Sequence, residues 1–376
     1  MIFLDYNSTT PVREEVMQAM LPWFSKQFAN EASSTHVPGW QARKAVEMAR
    51  EEIASLLVCD EQEIIFTSGA TESAWIALYG LWKTHHASRN EILISATEHS
   101  ALLNAAEALS DMGAILRTIP CNHHGAINME FLSKAVSDKT LAVIVMHANN
   151  ETGNIHPASV IASIAHQAGA FYVCDASQSA GKISCTIEET GADLLFFSAH
   201  KFYGPKGIGI LFVRRKNPRV QLTAIMPGHG HEKGLRQGTL NVPAIVGMQK
   251  AFSLSHAESW DQAAHTSRLR TYLEQYLELH AGARINGDMR NRLPNTTNLL
   301  FAGKKASQLI KHAPELAFST GSACNSTIPA PSHVLLAMGL SEADAYASAR
   351  FSLSYLNTMD EIDRAAKMIT HACSLS

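Results

Sequence analysis

The 376-residue chain is 46% hydrophobic and 17% charged, the make-up of an ordinary globular protein with a sizeable core, which excludes disordered and fibrous classes. Its 31 Lys and Arg against 34 Asp and Glu leave a net charge of −3, no electrostatic basis for binding nucleic acid directly. The opening Met1-Ile-Phe-Leu-Asp5 lacks the basic start of a signal peptide, no apolar run reaches the roughly 18 residues of a membrane span, and the six cysteines form no CxxC pair; a reducing cytoplasm, with no membrane contact and no metal site, is the expectation.

Through the middle of the chain, short apolar runs alternate with segments of helical pattern. Glu63-Ile-Ile-Phe-Thr67 reads as a strand before a helix at 71–83, and Glu91-Ile-Leu-Ile-Ser95 as a strand before a helix at 100–111. The run 141–146 leads through a loop to a helix at 158–168, and the runs 171–174, 193–197 and 208–213 complete the set. Fully apolar short strands suit a doubly wound, mostly parallel sheet covered by helices on both faces. After about residue 245 the texture changes to a long polar helix, 255–280, with fewer strands, at 297–301 and 349–353. We therefore expect a large α/β domain, 1–245, and a smaller α+β domain, 246–376, the first residues of the chain packing on the latter. His85-His86 and His123-His124 fall in polar stretches that read as loops. Between Lys201 and Lys250 nine Lys and Arg face the single acid Glu232, which reads as solvated surface with some residues near a phosphate.

In chain order, the first segment with chemistry is Thr67-Ser-Gly-Ala70-Thr71, between a strand and a helix, where exposed backbone N–H groups and a helix N-terminus suit a phosphate. Glu98-His99 follows the next strand, placing an imidazole where it can stack on a ring and move protons near pH 7. Asn149-Asn150 follows another and can hydrogen-bond a ring or a carboxylate. Phe171-Tyr-Val-Cys-Asp175 is an apolar strand ending in an acid, and Ser198-Ala-His200-Lys201 closes a second such strand with an amine. A lysine there is costly as structure, because a desolvated ammonium is unfavourable. It makes sense as the amine that forms a Schiff base with a carbonyl cofactor such as pyridoxal phosphate, with Asp175 paired to the protonated pyridine nitrogen. Farther on, Ser319-Thr-Gly-Ser-Ala-Cys324 is small, polar and followed by a loop, unlike the setting of a packed cysteine.

Together these stretches resemble the cysteine desulfurases of the NifS/IscS group, within the class V aminotransferase family of pyridoxal-phosphate enzymes. The resemblance runs from Leu4-Asp-Tyr-Asn-Ser-Thr-Thr-Pro11 to Arg350-Phe-Ser-Leu-Ser354, and is most specific at 67–73, 173–182, 197–209 and 319–325. It implies the pyridoxal-phosphate-dependent transferase fold, with pyridoxal 5'-phosphate as cofactor and L-cysteine as substrate. By the same resemblance Lys201 binds the cofactor and abstracts the Cα proton, Asp175 pairs with the ring nitrogen, Gln178 bonds the ring hydroxyl, and His99 stacks on the ring and shuttles protons. Ala70, Thr71, Ser198 and His200 hold the phosphate, and Thr239 reaches the phosphate of a neighbouring subunit in a homodimer. Arg350 clamps the substrate carboxylate with Asn150 assisting. Cys324 attacks the substrate sulfur, leaving alanine and a persulfide for an acceptor protein.

Some positions depart from the family pattern: Gly228-His229-Gly230, Gln237, Glu31-Ala32 and Asn7-Ser8, which we expect at the entrance or the dimer contact and away from the lysine. The chain ends soon after a helix at 361–371, without the extension that iron–sulfur desulfurases often carry. This favours, over housekeeping cluster assembly, a role such as that of the DndA and SspA enzymes in DNA phosphorothioation. Selenocysteine lyase and class V aminotransferase are the alternatives within the family; Cys324 argues against the aminotransferase, which needs no thiol. A non-catalytic module on the same fold is disfavoured by the intact Lys201 and Asp175.

Overall fold

The computed structural model describes residues 1–226, 228, 230–320 and 330–375. The chain opens on a two-residue strand, β1 (Ile2–Phe3), and then builds one seven-stranded sheet. Its strands are β2 (Ile64–Thr67), β3 (Glu91–Ser95), β4 (Ile115–Ile119), β5 (Thr140–Ile144), β6 (Phe171–Asp175), β7 (Leu194–Ser198) and β8 (Gly209–Val213), in the spatial order β2-β8-β7-β6-β5-β3-β4. Neighbours are parallel except at β8, which runs antiparallel to both β2 and β7.

The apolar runs alternate between two cores because successive side chains point to opposite faces. Tyr172, Cys174, Leu195, Phe197, Ile210 and Phe212 pack on one face with the helices Val37–Leu57, Ala158–Gln167 and Val242–Ala257. Val173, Leu194, Phe196 and Leu211 pack on the other with Ala70–His85 and Ser100–Ser110. β4 escaped the sequence reading: it is an edge strand, Ile-Leu-Arg-Thr-Ile, exposed at Ile115 and Thr118, so it carries no continuous apolar run. His85 ends its helix instead of lying in a loop.

A second sheet, of order β12-β10-β9, is antiparallel and built from β9 (Arg284–Asn286), β10 (Thr296–Leu300) and, after β11 (Leu316–Ala317), β12 (Ser348–Ser352). Helices Ser259–Ala281 and Met359–Leu375 pack on it through Leu269, Leu273, Leu277, Ile362 and Ile369. β1 pairs in parallel with β11, so the first residues of the chain join this core. The long polar helix expected at 255–280 is instead two helices, Val242–Ala257 and Ser259–Ala281, broken at Glu258. Arg13 holds the break, its guanidinium donating to both Glu258 oxygens at 2.9 and 3.1 Å. The local basic excess is also dispersed: Arg214 pairs with Asp193, Lys216 with Asp60 and Arg236 with Glu72.

Among the described residues no helix is long and apolar enough to cross a membrane, and no cluster of three or more His, Cys, Asp and Glu could hold a metal ion.

Candidate functional site

Because β3, β5, β6 and β7 are parallel, their carboxyl ends open on one edge of the sheet, where such folds bind ligands. A cavity of about 400 Å³ lies there. Its wall brings together Ala70, Thr71, His99, Asn150, Asp175, Gln178, Ser198, His200, Lys201 and Arg350, all singled out from sequence.

Lys201 ends the short turn Ala199–Lys201 that leaves β7. Its Nζ donates to the carbonyls of Asn7 at 2.7 Å and Ser8 at 2.9 Å. This corrects the expectation that Asn7-Ser8 lies away from the lysine: both carbonyls receive its amine. Asn7, 1% exposed, is a hub for several segments. Its carbonyl also takes Gln178 Nε2, and its Oδ1 takes Lys182 Nζ and Asn295 Nδ2. Its Nδ2 donates to Asn150 O and Thr296 Oγ1, and its N–H to Ser352 Oγ. Lys182 also donates to Gln178 Oε1 at 2.7 Å, so both ends of that amide are assigned by their partners. Burial, then the nearby Lys201 and Arg350 charges, hold the Lys182 ammonium well below the usual lysine range.

Asp175, the last residue of β6, is 8% exposed and accepts Ser177 N–H at 2.8 Å. His99 caps the helix Ser100–Ser110, Nδ1 accepting Ala101 N–H at 3.2 Å. That bond leaves the proton of the neutral ring on Nε2. Burial lowers the His99 pKa, Asp175 opposes the shift, and Lys201, His333 and Arg350 add to it. Glu98 beside it is fully buried, accepts Met146 N–H at 2.6 Å, and is pushed up to about 8 by burial and then by Asp175.

Beyond β2, Ala70 N–H donates to Ser198 Oγ at 2.7 Å. The helix Ala70–His85 starts at Gly69, which has no side chain to cap it, so its N-terminus is left for an anion. Gly69 sits at φ +154°, and β8 crosses close by: a Cβ on Gly209 would lie 2.5 Å from Phe197 O and 2.8 Å from Gly69 Cα. His200 stands beside it, Nδ1 against Thr9 Oγ1 at 3.2 Å, its pKa lowered to about 4 by burial and then by Lys201, Lys206 and Lys182.

Arg350 projects from β12, 7% exposed, donating Nη1 to Asn150 O at 3.1 Å and Nη2 to Asp5 Oδ1 at 2.6 Å. Its Nε and the Ser177 hydroxyl are buried without a hydrogen-bond partner among the described residues. An amine, a carboxylate, an uncapped helix start and unspent donors in one cavity are what a phosphorylated, aldehyde-bearing pyridine requires, so the residues present fit pyridoxal phosphate.

Two sequence-predicted residues remain. Thr239 is exposed and is not part of the lining. Cys324 lies outside the described residues. Sequence reasoning missed Asp5, Glu151, Lys182 and His333, and took Asn7 for a peripheral position. Glu151 adjoins Asn150 and Lys182 follows Gln178 by four, so proximity in sequence was an available signal for those two. Nothing local marked Asp5 or His333.

Residues 2–365 match the family Aminotransferase class-V. A cysteine desulfurase IscS of Anaeromyxobacter dehalogenans (strain 2CP-C) is 44% identical over 371 residues, 98% of this chain and 91% of the relative. Among solved structures, a NifS-like protein superposes with a TM-score of 0.93 at 34% identity, covering all of both chains. SspA in complex with cysteine superposes with a TM-score of 0.83 at 32% identity, covering 94% of this chain and 99% of that one. With that match spanning both sheets and the cavity between the strand ends, the chain belongs to the class V aminotransferase family.

Proposed function

We propose that the chain is a pyridoxal-phosphate-dependent cysteine desulfurase, which removes sulfur from L-cysteine to give L-alanine and a persulfide on Cys324. The observation that carries this reading is Lys201 in the turn that leaves β7 and Asp175 at the end of β6 in the wall of one cavity, on a chain 44% identical to an IscS desulfurase. The bound cofactor would supply a carbonyl for the substrate amine and a ring that accepts electrons from the substrate Cα.

The chain's residues divide the remaining work. Lys201 would hold the cofactor, and its amine, which donates to the Asn7 and Ser8 carbonyls, would move the substrate Cα proton. Asp175 keeps the ring nitrogen protonated. Gln178, oriented by Lys182 and Asn7, offers its amide to the ring hydroxyl, and His99 covers the ring face with Nε2 free to carry a proton. Ala70, Thr71, Ser198 and His200 take the phosphate. Arg350 and Asn150 receive the substrate carboxylate, which competes with Asp5 for the guanidinium.

Cys324 acts last: its thiolate attacks the substrate sulfur, the sulfur–Cβ bond breaks, and Cβ takes a proton to give alanine. Ser319, five residues before Cys324, lines the cavity, and five residues of chain reach at most about 17 Å, which supports delivery of the thiol there. With this reading goes a division into two lobes in the region 245–258, where the chain passes from the first core to the second. A homodimer is part of it too. Phe24, Phe28 and Trp40 leave 61%, 76% and 52% of their surface exposed, an apolar surface that suits association, and Thr239 would meet the partner's cofactor phosphate. The acceptor of the sulfur, in cluster assembly or DNA phosphorothioation, is tested by incubating the persulfide form with each purified acceptor and following the labelled sulfur. The reaction itself is tested by equating alanine formed with sulfide released from L-cysteine; the 2-oxo acid 3-mercaptopyruvate, with its sulfur retained, in place of alanine would point to the aminotransferase.

A further inference from the structure

Glu151 lines the cavity at 5% exposure, and nothing in the chemistry above uses it. It sits in a tightly fixed turn after β5. Asn149 Oδ1 takes the N–H groups of Glu151 and Thr152, both at 2.9 Å, while its amide donates to Thr97 O at 3.0 Å. The intervening Asn150 gives its carbonyl to Arg350. The Glu151 carboxylate itself accepts the hydroxyl of Ser332 at 2.5 Å, across 181 positions of sequence.

Ser332 is more than a surface contact. It is 3% exposed and caps the helix His333–Ala337, its Oγ accepting Leu335 N–H at 3.2 Å. His333 lines the same cavity and donates its Nε2–H to the Glu98 carbonyl at 2.9 Å; a carbonyl only accepts, which fixes the proton on Nε2. Glu98 is the residue before His99. In sequence, Ser332 stands eight residues after Cys324 and Ser319 five before it. Ser319 is joined to Arg350 by reciprocal backbone bonds of 3.2 and 2.7 Å. The described chain on the two sides of Cys324 is therefore tied to the substrate-carboxylate corner twice, once by backbone at Arg350 and once by the Glu151 side chain.

We propose that Glu151 is a positioning residue of the desulfurase reaction: through Ser332 it moors the chain downstream of Cys324, and the helix His333–Ala337, to the turn that meets the substrate carboxylate. The inference rests on the desulfurase reading. Substrate binding needs only the turn and Arg350; sulfur abstraction also needs the nucleophile in register. A misplacement of about 1 Å between reacting atoms costs on the order of 100-fold in rate.

The test compares cofactor-loaded wild type with Glu151→Ala, Glu151→Gln and Ser332→Ala. Three quantities are read: the L-cysteine concentration that half-saturates the change in cofactor absorption, the single-turnover rate at which sulfur appears on Cys324, and amide exchange in 333–337. Both alanine variants should bind L-cysteine within about threefold of wild type and transfer sulfur at least about tenfold more slowly, with faster amide exchange. Glu151→Gln keeps an oxygen for the Ser332 hydroxyl and should stay within about threefold of wild type in all three. Wild-type transfer in either alanine variant overturns the proposal. So does a glutamine variant as slow as alanine, which would make the charge and not the bond responsible. Loss of L-cysteine binding in step with transfer overturns it as well, by making Glu151 part of the substrate site. If wild type itself forms no persulfide, the desulfurase reading has failed, and amide exchange alone decides the mooring: faster in Glu151→Ala but not in Glu151→Gln upholds it, equal exchange refutes it.

Discussion

Asn7 gathers seven hydrogen bonds from residues spread between 150 and 352, and spends every donor and acceptor it has. Replacing it with leucine keeps the backbone bonds to Lys201, Gln178 and Ser352 but removes the four its side chain makes, with Lys182, Asn295, Thr296 and Asn150, at a cost of about 0.5–1.5 kcal/mol for each bond lost. Asn7→Leu should therefore lower the melting temperature sharply and weaken cofactor retention together; a variant with wild-type melting would refute the hub. At Lys201 the expectation is sharper. Borohydride should bleach the yellow holoenzyme and leave the cofactor on Lys201, and Lys201→Ala should carry no covalent cofactor; peptide mapping that finds it on Lys182 would displace the assignment. Lys201 and Asp175 were legible because each is a charged residue closing an apolar strand. Asn7 was not, because a short polar residue near the start of a chain looks like any turn until its partners, up to 345 positions away, are in place.

Strand β8 carries the clearest prediction about an element. Gly209 lies so close to Phe197 O and Gly69 Cα that a methyl group cannot enter without parting β8 from the loop at the start of the helix Ala70–His85. Gly209→Ala should cost about 1–3 kcal/mol and raise the dissociation constant for pyridoxal phosphate, since the displaced loop is the one proposed to take the phosphate. Unchanged cofactor affinity would mean that the loop is not set by β8. The six buried or half-buried strands of the large sheet declared themselves as apolar runs because both their faces are covered. β4 did not, being an edge strand with Arg117 and Thr118 in its middle. The break at Glu258 was equally silent, since it is held by Arg13, which lies 245 positions away.

At the scale of the whole molecule, buried histidines lead the response to acid, His147 and His156 foremost. Burial lowers His147 and His156 to about 4 each, from an ordinary 6.5. The unfolded chain takes up their protons below about pH 6.5 while the folded one refuses them until about 4. Stability from this pair is therefore complete above pH 6.5 and is lost as pH falls toward 4. Glu98, raised to about 8 from 4.5, and Glu151, also raised by burial, act oppositely in that window, favouring the fold as pH falls, while His200, lowered to about 4, and His99, also lowered, add to the histidine pair. Denaturant titrations should show stability falling between pH 6.5 and 4, and His156→Gln should flatten the fall by up to about 1.4 kcal/mol per pH unit. An unaltered slope would mean that His156 titrates normally in the folded state.

The destination of the sulfur decides the mechanism. Cofactor-loaded wild type should be mixed with L-cysteine in a single turnover and its peptides weighed, beside Cys324→Ser. The prediction is one added sulfur on Cys324, none on Cys59, Cys121, Cys174, Cys185 or Cys373, and alanine in equal amount. In Cys324→Ser, L-cysteine should still change the cofactor absorption, since Lys201, Asp175 and His99 remain, while alanine formation collapses, because a serine hydroxyl is a poor nucleophile toward sulfur. Alanine produced by Cys324→Ser at the wild-type rate, without added thiol, would contradict the desulfurase mechanism.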